Sequence, residues 1–170
     1  AELAEALLRH GADVTLQKSN GSTALGLAAV NGHKKLVELA LRHGAEVNQK
    51  YNNGVTALMD AAYGGGLRAV DTLIRHGAEI DMQANSGDNA LIYAAHYGHP
   101  AVVRQLLRAG ADMTLCNSSG NTALQWAKGK GHAECVRAFG EHAAAKVAAE
   151  AVAKEAARAA EAAERAAERA

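Results

Sequence analysis

Glycine recurs on a 33-residue period through most of this chain, and that period restricts the fold more than any other feature. Gly11, Gly44, Gly77 and Gly110 are 33 residues apart, each followed by Ala, and Gly21, Gly54, Gly87 and Gly120 keep the same interval. A period of this length marks a solenoid, whose units cannot bury their apolar faces alone and do so against their neighbours. One grammar runs from Gly21 to Asn48, from Gly54 to Asp81 and from Gly87 to Thr114. A fourth copy starts at Gly120 and fades after Phe139.

Within each copy the apolar residues fall on helical spacing. Leu25, Ala28 and Ala29 form one inward face, and Leu36, Val37, Ala40 and Leu41 form another. Gly32-His33, Gly98-His99 and Gly131-His132 break the two helices apart as a short hairpin. The Gly of each Gly-Ala ends the second helix, where a left-handed residue is favoured. The polar stretch that follows, such as Gln17 to Gly21, carries turn chemistry.

These residues resemble the ankyrin repeat pattern, G-x-T-P-L-H-x-A-A-x-x-G-H followed by a second helix ending L-L-x-x-G-A-D-V-N. The resemblance covers about residues 1–140. It implies an all-α fold: an ankyrin-repeat solenoid of stacked helical hairpins with short β-hairpin fingers, extended by a long Ala-rich C-terminal helix. The array is assigned to residues 1–142, with a partial repeat at 1–17 and repeats at 18–50, 51–83, 84–116 and 117–142. Residues 143–170 form an Ala-rich charged extension. One departure recurs. The Pro of T-P-L-H is Ala24, Ala57, Ala90 or Ala123, and the His is Gly26, Met59, Ile92 or Gln125. Ala is the best helix former, so the helix start survives. The missing His removes a hydrogen bond that the family makes between neighbouring repeats, which lowers the expected rigidity. The family also carries hydroxylated asparagine at the position matched by Asn48.

Both ends depart from the period. Ala1 aligns with Lys34, so the chain opens inside a second helix and leaves Leu3, Leu7 and Leu8 without a capping partner. That is the pattern of a trimmed piece of a longer protein, or of a designed chain with a short first helix. At the other end Ala143 stands where glycines stop the earlier helices, and one helix is expected from about Ala133 to near the chain end, roughly 55 Å long. Gly140 is its weak point. Only Val147 and Val152 are large and apolar in the tail, too few for a coiled-coil seam. The tail is then a solvated helix or one that packs on a partner or a second copy.

Composition narrows the chemistry. Lys plus Arg and Asp plus Glu both number 18, so no long-range field draws the chain to nucleic acid or anionic lipid. No apolar run reaches the ~20 residues of a membrane span. Two cysteines, Cys116 and Cys135, are too few for a disulfide framework, and an intracellular, cytoplasmic location is expected. His10, His43 and His76 recur once per repeat, too far apart for one metal whose ligand bonds are ~2 Å. His96 with His99, and His132 with Cys135, are pairs without further ligands. No nucleophile elbow, P-loop or dinucleotide fingerprint is present, and Gly64-Gly65-Gly66 follows a helix, so it is a flexible turn rather than a phosphate cradle. Neither an enzyme nor a cofactor or metal site is expected.

The aromatics point elsewhere. The resemblance implies that variable positions of each first helix face a concave groove beside the fingers. Here those positions line up Asp60, Tyr63, Tyr93, His96, Tyr97, Trp126 and Lys130. Tyr and Trp often anchor interfaces, although Tyr93 and Trp126 also suit gaps between repeats left by small residues. Tyr51, Asn52, Asn53 and Asp88 are expected at the finger tips as rim contacts. The function that follows is a protein–protein interaction module that holds a peptide or folded domain. The alternative is a structural spacer that docks or self-associates through the C-terminal helix.

Overall fold

The computed structural model describes residues 2–167. Ala1, which opens the expected partial repeat, and residues 168–170, which end the expected extension, lie outside them. Nine helices occur among the described residues: α1 (Glu2–Arg9), α2 (Ala24–Val30), α3 (Lys34–Arg42), α4 (Ala57–Tyr63), α5 (Leu67–Arg75), α6 (Ala90–His96), α7 (Pro100–Arg108), α8 (Ala123–Gly129) and α9 (Ala133–Ala167).

Three of the first helices start from a side-chain cap, while Thr56 at the start of α4 makes no such bond. Thr23 caps α2 by accepting from the Gly26 N–H, Asn89 caps α6 through Ile92, and Thr122 caps α8 in a reciprocal capping box with Gln125. Every described residue with positive φ is a glycine. The inward faces then stack. First helices α2, α4, α6 and α8 pack in one row, and α3, α5, α7 and the start of α9 pack in a second. Leu25, Val37, Leu58, Val70, Leu91, Val103 and Phe139 all lie in one continuous core. The all-α solenoid expected from the period is what forms.

The fingers are tighter than extended hairpins. Each closes as a turn, with bonds such as Lys18 N–H to the Ser22 carbonyl and Tyr51 N–H to the Val55 carbonyl. Pairing among the described residues is limited to the isolated bridges Gln17–Thr23 and Cys116–Thr122. The fingers bond sideways as well. Asn52 and Asn85 donate from their N–H groups to the Asn20 and Asn53 carbonyls, and Ser118 N–H donates to Ser86. Asn52 Nδ2 reaches the Ser19 carbonyl at 3.0 Å and Asn85 Nδ2 the Asn52 carbonyl at 3.2 Å, so one ladder runs across the fingers.

The Gly-His turns carry a second ladder. His99 Nε2 donates to the Tyr63 carbonyl and His132 Nε2 to the His96 carbonyl, both at 2.9 Å. These bonds link neighbouring repeats where the motif's other His is missing, so cross-repeat ties survive. Gly98 makes room for one of them, since a Cβ there would sit 2.8 Å from the His132 ring. Gly64 is also a close approach rather than merely a loose turn: a Cβ on it would fall 1.9 Å from the Val30 carbonyl oxygen. Asn48 bridges repeats too, accepting from Glu79 N–H at 2.9 Å and donating to the Gly77 carbonyl.

The ends differ as the sequence suggests. No residue of α1 is buried, Leu3 and Leu7 are exposed, and an apolar groove of about 440 Å³ opens between α1, α2 and α3. Helix α9 runs unbroken through Gly140 for 35 residues, about 52 Å at 1.5 Å per residue. Cys135, Ala138 and Phe139 are buried against α7 and α8. Arg104 of α7 holds Glu134 and Glu141 on α9. Beyond His142 every side chain described is exposed, Val147 and Val152 included. No described helix is long and apolar enough to cross a membrane.

Candidate functional site

The first helices α4 and α6 present Asp60, Tyr63, Tyr93, His96 and, at the α6 C-cap, Tyr97 beside the fingers, and two adjoining hollows result. The first, about 330 Å³, lies between α2, α4 and the fingers, with Tyr51, Asp60, Tyr63 and Tyr93 in its wall. The second, about 410 Å³, lies between α6 and the next finger, with Asp88, Tyr93, His96 and Tyr97 in its wall. Asn53, Val55 and Tyr93 belong to both, so Tyr93 is the partition of one groove.

Tyr51 is not a rim residue. The finger of the second full repeat turns it back under the preceding repeat, where it is 9% exposed. Its hydroxyl donates to Asp60 Oδ2 at 2.7 Å. Gly26 makes this possible: a Cβ there would lie 1.7 Å from the Tyr51 oxygen and 2.8 Å from Asp60 Oδ2. Gly26 stands where the motif has its His, so the slot that residue leaves is filled by a tyrosine from the next copy. At the same position Met59 and Ile92 fill their own slots and are buried. Burial pushes the Asp60 carboxyl up to about 6, and the Tyr51 hydroxyl bond only partly offsets that. The Tyr51 hydroxyl is held far above the usual phenol range by burial first and the Asp60 charge second.

The aromatics form one connected run. Tyr63 meets Tyr97 edge-on at 4.4 Å and Tyr93 at 6.4 Å. His96 lies between two rings, stacked on Tyr97 at 4.7 Å and on Trp126 at 4.2 Å. Lys130 covers the indole with its ammonium 5.8 Å from the ring centroid. Burial, then the Lys130 charge, lowers the His96 pKa below its ordinary value. Tyr63 and Tyr97 are each 45% exposed, while Tyr93, His96 and Trp126 are half-buried. Trp126 therefore both packs and lines the surface. Its Nε1–H is shut off from solvent without an acceptor among the described residues.

The remaining finger residues are occupied with one another. Asp88 accepts from Ser86 Oγ and Asn117 Nδ2, both at 2.8 Å, and is half-buried. Asn53 Oδ1 accepts from Val55 N–H within its own turn, and Asn52 spends its amide on the ladder. Both are exposed. Asn89 is a polar residue that sequence reasoning passed over. It is 1% exposed, and its Nδ2 has no acceptor, although its Oδ1 caps α6. The signal was its place in the T-A-L motif, where the other copies have Thr.

Among the described residues no three His, Cys, Asp or Glu side chains converge on one point. Cys116 is exposed and Cys135 buried, with the Cys135 thiol pushed up by burial.

Comparison with known proteins bears on the same residues. A family model described as "Ankyrin repeats (3 copies)" matches residues 1–84 and again 58–151. Among curated proteins none matches the chain.

Proposed function

The chain belongs to the ankyrin repeat family, and we propose that it binds a protein partner, a peptide or a folded domain, in the groove that runs from Asp60 to Lys130. Ankyrin repeats are generally protein-interaction modules. The observation that carries the finer reading is the connected run Tyr63–Tyr97–His96–Trp126 with Lys130 over its end. Large rings held by one another lose little freedom on binding, and such residues dominate interface energies. The fingers Asn52, Asn53 and Asp88 form the rim, and Tyr51 acts from beneath through Asp60.

The test is a partner selected from a peptide library, with affinity measured by calorimetry on folded chains. Tyr97→Ala with Trp126→Ala is expected to weaken binding at least a hundredfold, about 3 kcal/mol. Unchanged affinity sinks the reading.

A second reading draws on α9, which leaves the array after His142 with Val147 and Val152 exposed. In that reading the helix docks a partner or a second copy, and the array is a spacer. Light scattering on the full chain beside one ending at His142 separates the two. Self-association of the full chain alone favours the helix.

A further inference from the structure

The recess at Asp60 is built for a positive charge, and we propose that it receives a lysine or arginine side chain of the bound partner. This deepens the groove reading and rests on it. Asp60 Oδ2 is taken by the Tyr51 hydroxyl at 2.7 Å. Oδ1 has no hydrogen-bond partner among the described residues and is not wholly shut off from solvent, and Asp60 lines the hollow. No Lys, Arg or His among the described residues pairs with it. The carboxylate is therefore half-buried and uncompensated within the chain.

The walls suit the same occupant. Tyr63 and Tyr93 stand at 76° to each other beside the carboxylate, in a hollow of about 330 Å³. A cation gains from aromatic faces, and its methylene stem covers ring surface while the charge reaches Oδ1. An acidic side chain would be repelled there. An apolar one would strip water from Oδ1 and return no bond. At the other end of the run Lys130 carries the opposite charge. The groove thus has a direction, with the partner's basic residue at the α4 end.

The decisive experiment titrates the full chain with N-acetyl-arginine amide, N-acetyl-lysine amide and N-acetyl-norleucine amide, following the Asp60 carboxyl carbon and the Tyr63 and Tyr93 ring signals by NMR. Both cations are expected to move these signals saturably, and norleucine is not. Bound cation should lower the proton affinity of Asp60 about tenfold. Asp60→Asn keeps an acceptor for Tyr51 and should abolish the response with the helical circular dichroism intact. If that variant unfolds, Tyr63→Ala, at an exposed position, should weaken cation binding several-fold. Absence of a saturable cation response, or an equal response to norleucine, overturns the proposal. A chain that loses its partner on Tyr97→Ala with Trp126→Ala, yet shows no cation response, keeps the groove and loses this site. A cation response beside a partner indifferent to those substitutions does the reverse.

Discussion

The two ends of the groove are built on the same repeat slots and reach opposite outcomes. At the α2–α4 end, Gly26 leaves a gap, Tyr51 drops into it, and the surface is left with a recess and a carboxylate. At the α6–α8 end, Ile92 fills its own slot and Gln125 closes a capping box. No ring drops into a neighbour's slot there, and the rings of Tyr97, His96 and Trp126 stack side by side, half-buried to exposed, with Lys130 over the indole. A repeat lattice fixes where side chains start. The volume at one slot decides whether a neighbour's ring sinks or stays up.

Filling the gap is the strongest way to break that contrast. Gly26→Met, which copies Met59 of the next repeat, should expel Tyr51 and destabilise the array by about 3 kcal/mol in urea unfolding, since overpacking beside the backbone is hard to relieve. Adding Tyr51→Ala should restore part of the loss, and failure to do so would mean that Tyr51 is not what fills the gap.

The pH dependence of stability tests the same pair. The Asp60 carboxyl is raised from 3.8 to about 6 on folding, so the folded state holds its proton more tightly. Its contribution to stability is therefore full below pH 4 and is lost as pH rises through 6. Asp60→Asn should flatten that slope, on the order of 1–2 kcal/mol after allowance for partial solvation. Tyr51→Phe, by contrast, removes the bond that lowers the carboxyl. It should raise the Asp60 pKa above 6 in a carbon-13 titration and cost about 1 kcal/mol.

Smaller effects lie toward the other end. Asn89→Thr keeps a capping oxygen and removes the unpaired Nδ2, so it should raise the unfolding midpoint by an equivalent of about 1 kcal/mol. Lys130→Ala should cost only about 0.5 kcal/mol by thermal unfolding, because the ammonium sits over the indole at an exposed site.

Much of this was legible beforehand because it is local. The glycine stops and the apolar triads lie within one or two helical turns of the features they determine. The unbroken run of α9 through Gly140 follows from the alanines around it. The aromatic line was legible in membership but not in geometry: the resemblance implied one surface for Tyr63, Tyr97, His96 and Trp126, while their stacking depends on rotamers that neighbours choose. Tyr51 was misplaced for a related reason. Its finger position suggested a tip, and only the absent side chain at Gly26, in another repeat, pulls it under.

The sequence by itself determined the kind of unit, its copy spacing and the long run of the last helix, because a solenoid is held by nearest-neighbour contacts that recur with the period. Tertiary structure alone decided that Tyr51 and Asp60 are joined beneath the groove, that Gly64 closes on Val30, and that His96 is held between two rings. Those pairings depend on the space left between residues of different repeats, and close packing makes such space count to within a single methyl group.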